Sequence, residues 1–142
     1  MDTVADLAAR YFATHRPPGV SAAYLFGSHA RGTPHRESDV DVGVLLHPSR
    51  IRDRTSRDRL ALRLASELIG ATHCNAVDVV VLNDVSPELS RTVVTLGRQL
   101  YLADREIDHA FRRTAQLRYA DLRPFLERTR RTKLAAILGR PT

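Results

Sequence analysis

Residues 24–46 constrain the fold more than any other stretch of this 142-residue chain, because a polar, basic loop separates two apolar runs. The first run, Tyr24-Leu25-Phe26, ends an apolar segment that begins at Val20, and it stops at Gly27-Ser28. Short runs of β-branched, aromatic and aliphatic residues bounded by turn residues favour strands. The stretch therefore predicts two strands joined by a polar loop.

Two aspartates, Asp39 and Asp41, stand at the entrance of the second run. Residues two apart in a strand share a face, so both carboxylates are expected to point the same way, with apolar side chains at positions 40, 42, 44 and 46 on the other face. Two like charges at the end of a buried strand raise each other's pKa unless a cation lies between them. Oxygen ligands without a nearby His or Cys favour Mg²⁺ or Mn²⁺, which bind carboxylates together with substrate phosphates.

The Gly27-Ser28 pair suits a phosphate ligand. Glycine at a strand end lets a ligand approach the backbone closely, and Ser28 can cap a short following helix and offer a hydroxyl and N–H groups to an anion. Arg31 lies three residues further on, within reach of the same phosphates. Taken singly, a Gly-Ser pair is an ordinary strand-to-helix turn and Asp-x-Asp is common in loops. Their combination is what indicates a nucleotide site.

A further acid lies inside the β-branched run Asn75 to Asn83. Because an acid in such a strand is costly unless it pairs or binds a cation, Asp78 is the expected third carboxylate. The alternative is a strand-edge aspartate that pairs with an arginine. Asp84, past the end of the strand, is instead expected to be a turn or cap residue before Pro87.

The remaining pattern predicts an α/β (α+β) protein with a small mixed β-sheet flanked by helices. Residues 1–142 are expected to form one domain, with a core of about residues 1–103 and a C-terminal helical region over 104–142. The further predicted elements are a helix capped by Asp2 or Thr3 and ended by Pro17, a helix over 50–70 capped by Gly70, a helix over 87–96, a strand over 98–102, and a long helix from Asp104 that Pro124 bends or restarts.

Composition excludes several classes of protein. No apolar run approaches the ~20 residues of a membrane span, and the N-terminus lacks the pattern of a signal peptide, so the cytoplasm is the expected location. The single cysteine, Cys74, excludes an internal disulfide framework.

The net charge of +6 is concentrated after residue 103. Direct nucleic-acid binding is not favoured, because the arginines of residues 50–63 lack interleaved aromatic residues.

The spacing of the two motifs is shared with a known family. Gly27-Ser28, ten intervening residues and Asp39-Val40-Asp41 resemble the signature of the nucleotidyltransferase superfamily typified by DNA polymerase beta. The fuller pattern, Gly27 to Gly32 followed by Ser38-Asp39-Val40-Asp41, is similar to the minimal nucleotidyltransferases, or MNT proteins, which act as antitoxins in HEPN/MNT toxin–antitoxin pairs. The polymerase beta-like fold is the expected architecture.

This resemblance implies a metal-dependent nucleotidyltransferase that moves AMP from ATP to a hydroxyl, a tyrosine in some pairs, of a HEPN ribonuclease toxin. The carboxylates of Asp39, Asp41 and Asp78 would hold two Mg²⁺ or Mn²⁺ ions, while Gly27, Ser28 and Arg31 would position the nucleotide phosphates. The toxin would be a partner in a hetero-oligomer.

Two other classes stay open. The protein could silence its toxin by binding alone, with an unused active site, although the full set of acids argues against this. It could also modify a small molecule, as aminoglycoside nucleotidyltransferases do, although those resemble a longer chain with an added substrate-binding domain.

Overall fold

The computed structural model describes residues 1–30 and 39–138, so the predicted phosphate-binding Arg31, and the short helix expected after Ser28, lie outside the described residues. The helices are α1 (Val4–His15), α2 (Arg54–Thr72), α3 (Pro87–Leu96) and α4 (Arg105–Leu138), and a 3₁₀ turn spans Leu82–Asp84. The strands are β1 (Val20–Phe26), β2 (Val40–Leu46), β3 (Val77–Val81) and β4 (Arg98–Leu102).

The four strands form one mixed sheet in the order β3-β2-β1-β4. β1 pairs antiparallel with both β2 and β4, whereas β2 and β3 run parallel. β1 and β2 are the inner strands, and nearly every residue in them is buried. Their sequences are accordingly almost entirely apolar. The prediction of a small mixed sheet flanked by helices is confirmed.

Two apolar layers cover the sheet. On one face, Val40, Val42 and Val44 pack with core residues of α1 and α2, which include Phe12 and Leu64. On the other face, Tyr24 and Leu45 pack with Leu82, Val93 and residues of α4. The period of two in β2 is therefore realised as predicted, because odd-numbered and even-numbered side chains enter different layers.

Capping side chains determine where the helices begin. Thr3 Oγ1 accepts a hydrogen bond from the Asp6 N–H at 3.1 Å, and Asp6 accepts one from the Thr3 N–H at 3.0 Å, which completes a capping box for α1. Asp104 accepts a hydrogen bond from the Ile107 N–H at 3.1 Å at the start of α4, as its position predicts.

The predicted helix end at Gly70 is wrong, and the predicted restart of α4 at Pro124 does not occur. Gly70 lies inside α2 rather than after it; the helix continues to Thr72, which is 4% exposed, and ends at His73 in the left-handed conformation. Burial of Thr72 favours the extra half turn over the glycine stop. Pro124 does not interrupt α4, which is a single helix from Arg105 to Leu138. Since Pro124 is exposed, water can bind the carbonyl that its missing N–H leaves without a partner.

No helix within the described ranges has both the length and the apolar character needed to cross a membrane.

The core layer against α2 can be tested with two leucines of the same helix. Leu64 is fully buried and Leu62 is 73% exposed. Replacing Leu64 by alanine should lower the free energy of unfolding by about 2–5 kcal/mol, because a cavity remains in the core. Leu62→Ala is the control and should change it by less than about 0.5 kcal/mol. Urea unfolding followed by circular dichroism measures both, and equal effects would contradict the packing described here.

Candidate active site

The predicted carboxylates meet at one end of the sheet. Asp41 is the second residue of β2 and pairs in register with Asp78, the second residue of β3. In a parallel pair, residues in register lie about 4.8 Å apart across the strands and project to the same face. Asp39 directly precedes β2 and is exposed, as is Asp78. The structure thus brings the three aspartates to one edge, which we call the carboxylate edge.

Gly27 lies against this edge. Its neighbour Phe26, the last residue of β1, pairs in register with Asp41. Gly27 adopts a φ of +75°, and a Cβ atom added there would lie closer than 3.0 Å to Asp41 Oδ2. Both the positive φ and the close approach of the Asp41 carboxylate therefore require glycine at this position. Ser28 follows in a turn over residues 28–30, half-buried beside the same edge.

Negative side chains outnumber positive ones among the described residues of the carboxylate edge. Burial raises the pKa of the Asp41 carboxyl, and the charges of Asp78 and Asp39 raise it further, while His29 has the opposite effect. In the described part of the chain, none of these three aspartates forms an ion pair with a lysine or an arginine. Among residues 1–30 and 39–138, Asp78 therefore has no arginine partner of the kind that the alternative requires.

The donor set fits a hard divalent cation. Three carboxylates supply only oxygen atoms, and burial together with the charges of Asp78 and Asp39 raises the pKa of Asp41, so a cation beside these groups would be favoured. Among residues 1–30 and 39–138, however, no three His, Cys, Asp or Glu side chains already stand in a metal-binding arrangement. A metal held here would need further ligands, such as the oxygen atoms of nucleotide phosphates.

Asp84 lies away from the carboxylate edge. It ends the 3₁₀ turn that follows β3, and its Oδ1 is 2.6 Å from Arg57 Nη1. Arg57 also donates to the Ile51 carbonyl at 3.0 Å, so this ion pair attaches the turn to the start of α2. Asp84 is a turn residue, as expected.

One apolar opening of the fold lies away from the aspartates. A cavity of about 400 Å³ lies between the 3₁₀ turn, α3 and α4, with Leu45, Leu82 and Phe111 in its wall. Leu45 is four residues beyond Asp41 in β2, so the cavity lies about 13 Å along the strand from the carboxylate edge. The aspartates therefore lie outside this cavity.

The sequence analysis missed a polar cluster on the same face of the sheet. Tyr24, treated above as part of an apolar run, is 1% exposed and donates a hydrogen bond to Asp108, which is 6% exposed. The available signal was the helical spacing of α4, because Asp108 is three residues before Phe111 and seven before Ala115 and so lies on the apolar face of the helix. An acid at such a position requires a partner.

Comparisons with known proteins give consistent results. A family model described as polymerase beta nucleotidyltransferase matches residues 9–106. The chain is 42% identical over 84 residues to the protein adenylyltransferase MntA of Shewanella oneidensis, which covers 59% of this chain. The chain matches only about half, 55%, of the length of that relative.

Solved structures resemble the fold over most of the chain. The crystal structure of a toxin–antitoxin with AMP-PNP matches with a TM-score of 0.64 and 28% identity, covering 88% of this chain and 97% of that chain. The toxin–antitoxin MntA-HepT matches with a TM-score of 0.58 and 25% identity, covering 87% of this chain and 96% of that chain.

The contact between Gly27 and Asp41 can be tested by substitution. Gly27→Ala should displace the Asp41 carboxylate and force alanine into a positive φ, at a cost of about 1–3 kcal/mol in folding stability. It should also weaken Mn²⁺ binding measured by calorimetry. Gly70→Ala is the control, since a Cβ there meets nothing within 4 Å, and it should stabilise α2 by about 0.5–1 kcal/mol. Unchanged stability and Mn²⁺ affinity in Gly27→Ala would contradict the contact.

The raised pKa of Asp41 predicts a pH dependence of stability in metal-free buffer. Because the folded state holds this proton more tightly than the unfolded state, the free energy of unfolding should fall as pH rises from the unfolded value of 3.8 through the raised folded pKa. Asp41→Asn should remove this fall and make the protein more stable than the original at pH 7. Urea unfolding at pH 4 and pH 7 with a chelator measures the difference, and a less stable Asp41→Asn variant at pH 7 would refute the repulsion.

Proposed function

The chain belongs to the polymerase beta nucleotidyltransferase family, and we propose that it is a protein adenylyltransferase that moves AMP from ATP to a tyrosine hydroxyl of a HEPN-family ribonuclease toxin. In this proposal the modification inactivates the toxin, so the protein acts as its antitoxin. The toxin and this chain associate as a hetero-oligomer. Residues 104–142 extend a single domain whose core is about residues 1–103.

The observation that carries the proposal is the carboxylate edge. Asp41 and Asp78 stand side by side in register, and Gly27 lies against Asp41 at the end of the neighbouring strand. The likeness to a protein adenylyltransferase and to a toxin–antitoxin with a bound ATP analogue supports ATP as the substrate.

Asp39, Asp41 and Asp78 are the proposed ligands of two divalent ions, Mg²⁺ or Mn²⁺. When bound, such ions neutralise phosphate charge and lower the pKa of an acceptor hydroxyl. Gly27 and Ser28 bind the β- and γ-phosphates, Gly27 by leaving room for them and Ser28 through its hydroxyl and N–H groups. Arg31 is proposed to bind the same phosphates.

The reaction is a displacement at the α-phosphorus of ATP. The acceptor oxygen forms a new bond to that phosphorus, the bond to the bridging oxygen of pyrophosphate breaks, and the hydroxyl proton leaves to solvent. The contribution of this chain is orientation and charge compensation, because no covalent intermediate with a side chain is needed.

The partner is proposed from the likeness to the MntA-HepT toxin–antitoxin. α4 has 34 residues and a length of about 51 Å, whereas the longest strands have seven residues and span about 23 Å. A helix of this length reaches well beyond the sheet. We assign its projecting part to the toxin.

The binding-only alternative is disfavoured by the three aspartates, which repel one another and reduce stability without a cation. An antitoxin that only occluded its toxin would have no need of them. The small-molecule alternative lacks a specific observation in its favour.

Two matched substitutions test the enzyme assignment. Asp39→Asn with Asp41→Asn should lower AMP transfer from labelled ATP to the cognate HEPN-family toxin by about 100-fold or more, because the proposed metal ligands are lost. The control, Asp84→Asn, alters an aspartate at the other end of the sheet and should keep full activity. Retained transfer in the double variant would refute the metal assignment, and mass spectrometry of the acceptor identifies the residue that receives AMP.

A further inference from the structure

Three polar side chains contact the buried hydroxyl of Tyr24 in β1. The hydroxyl donates to Asp108 Oδ1 and accepts from Gln99 Nε2 at 3.1 Å and from Arg112 Nε at 3.0 Å. Arg112 Nε is also 3.2 Å from Asp108 Oδ2, and its guanidinium lies 5.1 Å from the centre of the Tyr24 ring. We call Tyr24, Asp108 and Arg112 the β1–α4 cluster.

The cluster joins the catalytic sheet to the first turns of α4. Tyr24 pairs in register with Gly43, and Phe26 pairs with Asp41, so Tyr24 lies on the same face as Asp41 and about 7 Å further along the strands. It is also three residues before Gly27. Asp108 and Arg112 are one helical turn apart in α4. Tyr24, whose side chain contacts α4, therefore belongs to β1, the strand that Gly27 follows at the carboxylate edge.

An apolar contact would hold α4 to the sheet less specifically. Dispersion and hydrophobic contacts depend weakly on angle, so an apolar helix face can slide or rotate over a sheet at small cost. Hydrogen bonds between buried charged and polar groups are directional, and they define the position of one element on another. Two of the three hydrogen bonds at the phenolic oxygen come from α4, through Asp108 and Arg112, and they define the rotation and the axial position of the helix there.

Because the cluster lies near the start of α4, a small change in helix orientation there moves the far end of the helix by a large distance. From Arg112 to Leu138 the helix rises about 39 Å, so a tilt of about 10° at the cluster would displace the far end by about 7 Å. A displacement of this size exceeds what a transfer reaction tolerates, since reacting atoms must approach within about 3–3.5 Å.

We propose that Tyr24, Asp108 and Arg112 are positioning residues for the acceptor protein. They hold α4 at one orientation on the sheet, so that a protein bound to its projecting part presents its hydroxyl to the carboxylate edge. This inference rests on the proposed function, because it needs a protein acceptor that α4 holds. It predicts a separation of effects, in which the acceptor is misplaced while ATP binds normally.

The primary test uses Tyr24→Phe, which keeps the ring and removes the hydroxyl. The value of kcat/KM for the cognate HEPN-family toxin should fall about 10- to 100-fold, while the Kd for AMP-PNP should stay within about twofold. Tyr101→Phe is the control. Tyr101 is 9% exposed and stacks on Phe12 in the opposite layer of the core. Tyr101→Phe should leave both kcat/KM for the acceptor and the Kd for AMP-PNP unchanged.

A second variant separates positioning from stability. Tyr24→Phe combined with Asp108→Leu removes the buried carboxyl group that the single substitution leaves with fewer partners, and Arg112, with a side chain 38% exposed, can still reach water. The melting temperature should recover toward that of the original protein, whereas kcat/KM for the acceptor should stay low.

Three results would overturn the proposal. These are equal kcat/KM in Tyr24→Phe and Tyr101→Phe, parallel losses of acceptor and AMP-PNP affinity, and recovery of acceptor kinetics together with melting temperature in the double variant. Each leaves the proposed function intact, because the original protein still transfers AMP. Absence of transfer by the original protein would instead overturn the proposed function, and this inference with it.

Discussion

The repulsion between Asp41 and Asp78 is the constraint on which the site depends. Parallel pairing of β2 and β3 places the two carboxyl groups in register on one face, and Asp39 adds a third negative group at the entrance to β2. Burial and these neighbours together raise the pKa of Asp41. A fold selected for stability alone would not retain this arrangement, since a polar neutral side chain at any of the three positions would relieve it. Binding of cations and phosphates at this edge would account for the stability that the repulsion costs.

The rest of the sheet supports this edge. β1 brings Gly27 against Asp41, and only a residue without a Cβ allows that approach. The apolar positions of β2 bury one face beneath α1 and α2, so the aspartates project from a strand whose position is well determined. On the other face, the hydrogen bonds of Tyr24 attach α4 two residues along the strands from the edge. The strand that ends at Gly27 and the projecting helix thus share one attachment, and in the proposal above this attachment aligns a protein acceptor.

The sequence predicted the local elements well where short-range rules decide them. The bounds of β1, from Val20 to Phe26, follow from an apolar run between Gly19 and Gly27, and the caps Thr3 and Asp104 follow from local hydrogen bonding. The resemblance to the nucleotidyltransferase family, drawn from Gly27-Ser28 and Asp39-Val40-Asp41, is confirmed by the family match. The prediction failed at Gly70, where burial of Thr72 against the core outweighs a local stop signal. The roles assigned to the six site residues stay predictions, and Arg31 lies outside the described residues.

By itself, the sequence led to the predictions that Asp39 and Asp41 share a face and that an acid at Asp78 needs compensation. The first depends on the period of a strand, and the second on the cost of burying charge. Only the tertiary structure decided that Asp78 stands in register with Asp41, because that requires β3 to lie beside β2 rather than at the other edge of the sheet. It likewise decided that Asp108 meets the Tyr24 hydroxyl, 84 residues away in the chain. Contacts between distant segments depend on the order of strands and the placement of helices, which no local pattern specifies.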